Sequence, residues 1–367
     1  MKLSIKTLAL QDMVAKAVKG ASSNKMIPIT SLMAIELKEG VLTLTTTDAT
    51  NTLKIIKKDI DGENFYVTVP VDIFSKLVAK TTTETITLTL KDNGLEVKGN
   101  GTYTIELPLD EEGQLIKFPE PKFNAAVLEE SVINLSTVKS LLTANKAALA
   151  ETMEIPCLTG YYCGENEVIS TDTFKVCGNA IKVFSKPVLI PAELMDLLAI
   201  MDEEKITVKS AGNKLQFITN NVVVYGVELE GIEEYPVEAI QAYLETEFTS
   251  VCKLPKSAFL NVLDRLSLFV AAYDNNGLYM TFTKDGVIIN SKRSNGTELI
   301  KYQDSKNFKA FTCCADIELL KSQIAAQNSE VVELWYGHEK AIKMTSGNIT
   351  QIVALLEDDR LMGDGEG

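Results

Sequence analysis

The chain has 367 residues, 46% of them apolar and 23% charged, a balance that supports a folded core and excludes a disordered chain. A net charge of −14, with Arg265, Arg293 and Arg360 as the only arginines, excludes a protein that reads bases through bidentate arginine forks. One histidine, His338, and six cysteines without a CxxC pair (Cys157, Cys163, Cys177, Cys252, Cys313, Cys314) leave little material for a metal site, and no metal or cofactor is expected.

In chain order, apolar residues at helical spacing predict a helix over 9–18. A hairpin follows, turning at Glu39-Gly40 and running into Thr47-Asp48. A second helix over 69–80 has Pro70 at its start, and a second hairpin alternates Ile86, Leu88 and Leu90 before turning at Asn93-Gly94. After the connector GQLIKFPEPKF the order returns: a helix over 136–149, a hairpin at Glu165-Asn166, a helix over 190–201 and a hairpin at Gly212-Asn213. After GIEEYPVEAIQ it returns again: a helix over 254–269, a hairpin at Asp285-Gly286, a helix over 314–326 and a hairpin at Gly337-His338.

The hairpins that begin with Ile86, Ile206 and Val332 are spaced by 120 and 126 residues, which makes the chain an internal triplicate. The reading is α+β: three tandem copies of a helix pair on antiparallel sheet, with boundaries at 1–123, 124–247 and 248–367. Thr171-Asp172 in VISTDTFKV repeats Thr47-Asp48 at a distance of 124 residues. A repeated Asp at a strand end is a turn-former, since catalysis seldom needs the same residue in several domains. No Walker or Rossmann glycine loop, GxSxG elbow or HExxH accompanies it, so an enzyme is not expected.

The order of elements, the three copies, MIPITSLMAIELKEGVLTLTTTD, LTGYYCGENEVISTDTFKV and the EYP connector together resemble the bacterial DNA polymerase III beta sliding clamps, a family with bacterial and phage members. That resemblance spans the chain to about Leu356. It implies the DNA clamp fold, with each chain forming half of a six-domain ring. Two chains close it head to tail as a homodimer around duplex DNA, held by topology and without sequence preference. It further implies a groove that accepts linear peptides from DNA polymerase, the clamp loader and repair proteins. The matching groove positions are Leu158, Thr171, Thr173, Phe174, Lys175, Val176, Pro236, Ile240, Ile352, Ala354 and Leu356. Thr173-Phe174-Lys175 stands where the family commonly has Gly-His-Arg, which implies a bulkier and less cationic floor.

Under the resemblance the helix-borne cations Lys16, Lys19, Lys76, Lys80, Lys139, Lys146, Lys256, Arg265 and Lys321, with Lys25 in the loop before Pro28, face DNA. The helix after Pro191 departs from this, offering Glu193, Asp196 and Asp202. Tyr103 and Ile105 match one side of the dimer interface, with Leu268 and Phe269 as their partners. The C-terminal ALLEDDRLMGDGEG runs past the family end as an acidic tail. A cytoplasmic replication protein without a membrane partner is expected, since no export signal or spanning segment is written in the sequence. The competing class is a tandem-repeat structural or virion protein with no DNA-tethering role.

Overall fold

The structure, a computed structural model, describes residues 1–22, 26–91, 94–122, 128–270, 276–292 and 295–357. Three stretches carry one element order. The first has β1 (Lys2–Lys6), α1 (Thr7–Ala17), β2 (Leu32–Lys38), β3 (Val41–Thr47), β4 (Thr52–Lys57), β5 (Phe65–Pro70), α2 (Val71–Ala79), β6 (Thr85–Lys91), β7 (Gly94–Lys98) and β8 (Thr102–Ile105). The second has β9 (Glu129–Asn134), α3 (Leu135–Ser140), β10 (Gly160–Cys163), β11 (Val168–Thr171), β12 (Lys175–Asn179), β13 (Val188–Pro191), α4 (Ala192–Leu197), β14 (Lys205–Ala211), β15 (Lys214–Ile218) and β16 (Val222–Val227). After α5 (Val237–Leu244), the third has β17 (Ser250–Pro255), α6 (Lys256–Leu266), β18 (Gly277–Phe282), β19 (Gly286–Ser291), β20 (Thr297–Lys301), a short β21 (Asp304–Lys306), β22 (Phe311–Asp316), α7 (Ile317–Ala325), β23 (Val331–Tyr336), β24 (Ala341–Ser346) and β25 (Ile349–Leu356).

Strand pairing repeats as faithfully as element order. One set of antiparallel ladders runs β1-β6-β7-β8, β9-β14-β15-β16 and β17-β23-β24-β25; the other runs β5-β2-β3-β4, β13-β10-β11-β12 and β22-β18-β19-β20. Two further ladders join consecutive copies: β4 pairs with β16, and β12 pairs with β25. Two compact units result. Met1–Val138 with Glu193–Glu228 form one, and Lys139–Ala192 with Leu229–Gly367 form the other. The division falls inside the middle copy, each of whose sheets is fused to a neighbour's.

Within the first unit, α1 buries Leu10, Met13, Val14 and Ala17, and α2 buries Phe74 and Val78. These residues recur at helical spacing, so the wet side of each helix is left for polar residues. The β2–β3 turn has both central residues in the left-handed region, Glu39 at φ 51° and Gly40 at φ 77°, the geometry that two-residue hairpins favour. Within the second unit, Phe259, Leu263, Phe282 and Tyr336 are fully buried, with the Phe282 and Tyr336 rings stacked 3.8 Å apart. Asp316 caps α7 by accepting from the amides of Glu318 and Leu319 at 2.8 and 3.1 Å.

Three local expectations are corrected. The helix read over 136–149 is α-helical only to Ser140, then widens into a π-helical turn (Leu141–Asn145) and a 3-10 turn (Lys146–Ala148). There the fully buried Asn145 amide donates to the carbonyls of Val168 and Cys177 at 3.0 and 3.3 Å, bonds that hydrophobic spacing does not reveal. The β18–β19 turn is centred on Lys284-Asp285, and Gly286 already begins β19. The EYP connector holds a helix, α5. Its Val237, Ile240 and Leu244 lie one and two turns apart, a spacing that reveals it once Pro236 is read as a helix start. Asn93, Lys25 and the tail beyond Glu357 lie outside the described residues.

Candidate functional site

The repeated Thr-Asp is one turn built twice. Asp172 Oδ1 accepts from the amides of Phe174 and Lys175 at 2.9 and 2.7 Å, as Asp48 Oδ1 accepts from Thr50 and Asn51 at 2.8 and 2.6 Å. Thr171 and Thr47 each donate their hydroxyl to the carbonyl four residues on, at 2.7 and 2.6 Å. Thr173 and Ala49 take the same left-handed backbone, φ 79° and 86°. The second carboxylate oxygen is satisfied by residue i+3 in both: Asn51 Nδ2 at 2.8 Å on Asp48, and Lys175 Nζ at 3.1 Å on Asp172. Both aspartates are therefore structural acceptors, as expected for turn-formers. The copies differ in what surrounds them: Lys175 is buried, and Phe174 is 62% exposed.

The expected groove divides into floor and rim. Leu158, Val176, Ile240 and Ile352 sit in one buried cluster with Cys157, Ile169, Leu189, Tyr235 and Ala341. The Tyr235 hydroxyl donates to the Ile169 carbonyl at 3.3 Å, and its ring stacks on Tyr162 with centroids 5.0 Å apart. Leu244 of α5 presses on Gly178, where a Cβ would meet Leu244 Cδ1 at 2.7 Å. The floor residues, with Thr171 and Lys175, are thus buried. Packing by α5 is the physical reason. Thr173, Phe174 and Pro236 form an exposed rim, with Ala354 and Leu356 half-buried on β25. The Ala354 amide donates to the Phe174 carbonyl at 2.9 Å, which fixes that rim to β25.

Most of the cations expected to face DNA are occupied. Lys16 bridges Asp12 and Asp202 at 3.2 and 3.0 Å. Its partial burial disfavours the charge, but Asp202 and Asp12 outweigh that and its pKa is raised. The acidic α4 segment therefore neutralises α1. Lys76 pairs with Asp72 and Lys321 with Asp264, both at 2.5 Å. Lys256 donates to the Ala325 and Gln327 carbonyls at 3.0 and 2.6 Å, at the C-terminal end of α7. Arg265 places a two-pronged fork on Glu298, Nε at 2.8 Å and Nη2 at 2.5 Å, and this lowers the carboxyl's pKa. Lys19, Lys80, Lys139 and Lys146 are exposed; the first three have no carboxylate partner among the described residues.

The residues matched to a seam are split by burial. Tyr103 is 47% exposed, and Leu268 and Phe269 are 79% and 48% exposed in a 3-10 turn after α6. Ile105 faces inward, 4% exposed opposite Leu95. Strands β8 and β20 each end a ladder, although their counterparts β16, β25, β4 and β12 are all paired. Sequence reading cannot find this, because edge pairing leaves no periodicity.

His338 Nδ1 accepts from the Lys340 amide at 3.2 Å in the β23–β24 turn. All six cysteines are buried and reduced; burial pushes the Cys252 thiol up to about 12 and the Cys177 and Cys313 thiols further. Among the described residues no group of three or more His, Cys, Asp or Glu side chains is placed to hold a metal. Nor is any helix there long and apolar enough to cross a membrane.

Threefold repetition with edge-to-edge ladders defines the DNA clamp fold, and comparison with known structures agrees. The DNA polymerase sliding clamp of Bacillus subtilis matches with a TM-score of 0.83 at 17% identity, over 98% of this chain and 99% of that one. The beta subunit from DNA polymerase of Streptococcus pyogenes matches with a TM-score of 0.85 at 16% identity, over 98% and 100%. DNA polymerase III beta subunit from Thermotoga maritima matches with a TM-score of 0.79 at 17% identity, over 97% and 99%. Residues 1–117 match the family model of the DNA polymerase III beta subunit, N-terminal domain. No curated protein sequence matches the chain significantly.

The turn geometry yields a graded outcome. Asp172→Ala strands two amides and leaves the nearly buried Lys175 ammonium without its counter-ion, a loss of about 1–3 kcal/mol. Asp48→Ala frees amides only, so thermal unfolding should show the larger drop for position 172. Equal drops would contradict the role given to Lys175.

Proposed function

We propose that this chain is a DNA sliding clamp, a non-enzymatic processivity factor of the DNA polymerase III beta type. Two copies close head to tail into a ring of six domains, each chain contributing 1–123, 124–247 and 248–367. The ring encircles duplex DNA without reading its sequence and works in the cytoplasm. The observation that carries this reading is the repeated joint: β4 on β16 and β12 on β25, with the equivalent edges of β8 and β20 lacking a joint partner among the described residues. Two of three equivalent joints are made inside the chain, and a second copy supplies the third in each direction.

A net charge of −14 suits such a ring. Each phosphate contact releases counter-ions and adds affinity, so a densely basic lining resists movement along the duplex. Internal pairing of Lys16, Lys76, Arg265 and Lys321 leaves Lys19, Lys80 and Lys139 as the lining cations, a thin and diffuse attraction. DNA polymerase, clamp loader and repair proteins dock through linear peptides on the rim of Thr173, Phe174 and Pro236. An exposed ring beside half-buried Ala354 and Leu356 offers the apolar anchor that such peptides use.

Topological tethering has a distinctive signature. Protein assembled on nicked circular DNA should stay bound through a salt wash and leave once the circle is cut, whatever its sequence. Equal retention on circle and linear DNA would contradict encirclement. On the rim, Phe174→Ala should weaken binding of a labelled clamp-binding peptide at least tenfold and shift stability by no more than about 0.5 kcal/mol, since the ring is exposed. Leu158→Ala should instead cost about 2–5 kcal/mol of stability, since Leu158 is core. Unchanged peptide affinity for Phe174→Ala would remove the rim from the account.

A further inference from the structure

The middle copy departs from its neighbours at one buried place. Its first helix widens into the π-helical turn Leu141–Asn145, whereas α1 and α6 run as regular helices to Ala17 and Leu266. Counted from the strand ends Lys6, Asn134 and Pro255, the matched residues are Ala17, Asn145 and Leu266, each followed at once by a 3-10 turn. Ala17 and Leu266 are buried apolar residues, as a core position favours; Asn145 is 0% exposed and polar. A second amide joins it. Counted from the matched Thr47 and Thr171, Asn179 takes the place of Ile55, fully buried and opposite Ile349 as Ile55 is opposite Val222.

These amides form a relay. Asn348 Nδ2 donates to Asn179 Oδ1 at 2.8 Å, and Asn179 Nδ2 donates to Ser140 Oγ at 2.9 Å and to Asn145 Oδ1 at 3.2 Å. Asn145 Nδ2 ends the relay on the Val168 and Cys177 carbonyls, one on β11 and one on β12. Buried amides bonded in this way hold one arrangement and penalise others. Cys177 is three residues from Phe174, about 10 Å of extended chain, so Asn145 grips the ladder that carries the rim. The first copy, with Thr50 in the place of Phe174, has neither amide.

We infer that the π-turn is a coupling element with two positions, through which DNA on Lys139 weakens peptide binding at Phe174. The two faces rest on the clamp reading; the link between them is additional to it. The other position is the uninterrupted α-helix whose apolar spacing runs over 136–149. A π-turn holds one residue more than an α-turn, so exchanging them rotates one flank against the other by about 100°. Lys139 and Lys146, both exposed, are seven residues apart, which in an α-helix is close to two turns and puts them on one face. The π-turn breaks that alignment. A line of phosphates therefore favours the α position, and the rotation takes Asn145 off the Val168 and Cys177 carbonyls. The ladder beside Phe174 is then less firmly held. Both faces bias the same element, which is what coupling between them requires.

The test compares one chain in two settings. Affinity for the labelled clamp-binding peptide is measured on the full chain in solution and on the full chain assembled on nicked circular DNA. It should fall by about fivefold or more on the circle, with faster amide exchange over 141–149 and 168–177. Asn145→Ala, which installs the first copy's residue, should start at the reduced affinity and fall no further. The parent's two measurements decide the matter even where that variant is too unstable to purify. Equal peptide affinity on the circle and in solution, with protein retained on the circle, would overturn the coupling and leave the ring standing. A full drop persisting in Asn145→Ala would overturn the relay as its cause. Protein that is not retained on the circle would overturn both the coupling and the ring.

Discussion

A β-strand at the edge of a sheet carries a row of backbone donors and acceptors that must be paired or exposed, and this architecture is built on pairing them. Each copy of the repeat produces two such edges, one on each of its ladders. Folding alone does not satisfy them, because a third of the chain buries its helix pair and still leaves the edges bare. The chain answers with β4 on β16 and β12 on β25. Because both joints are antiparallel and equally offset, each copy follows the last by the same local rule. Of the six strands equivalent to these joints, β8 and β20 are the two without a joint partner among the described residues.

That constraint places the other features. Helices carry the apolar stripes that fill each copy, and their wet faces hold the cations. Four of those cations are spent on nearby carboxylates, among them Lys16 on Asp202, Lys321 on Asp264 and Arg265 on Glu298. A surface neutralised in this way attracts a polyanion weakly and without preference for position, which is what the proposed sliding ring requires. At the second joint, α5 packs Ile240 against Ile352 and Val176, and Phe174 emerges at its rim. The joint thus carries an exposed aromatic ring, the anchor on which the proposed peptide docking rests.

The hairpins, their spacing and the role of Asp172 were legible because they are local. A turn is written in two or three adjacent residues, and a period can be counted. The helix α5 was legible in principle, since Val237, Ile240 and Leu244 carry its spacing; its neighbouring proline and glutamates read instead as a connector. The pairing of Lys16 with Asp202 was not legible, because 186 residues separate them and charge alone does not state a partner. Ile105 lies two residues beyond Tyr103 on the same face of the strand, yet Ile105 is buried opposite Leu95 and Tyr103 is 47% exposed, a difference that sequence alternation does not state. Leu158 likewise matches a groove position in sequence, yet only packing by α5 determines that it is buried. The joints themselves leave no mark in the sequence except the equivalence of the copies.

Hydrogen exchange followed against protein concentration tests the edge-pairing rule most directly. Amides of β4, β16, β12 and β25 should be protected at every concentration, because their joints are internal. Amides of β8 and β20 should exchange quickly in dilute protein and become protected together as concentration rises. Protection of β8 and β20 that does not change with concentration, or that appears on only one of them, would contradict the account.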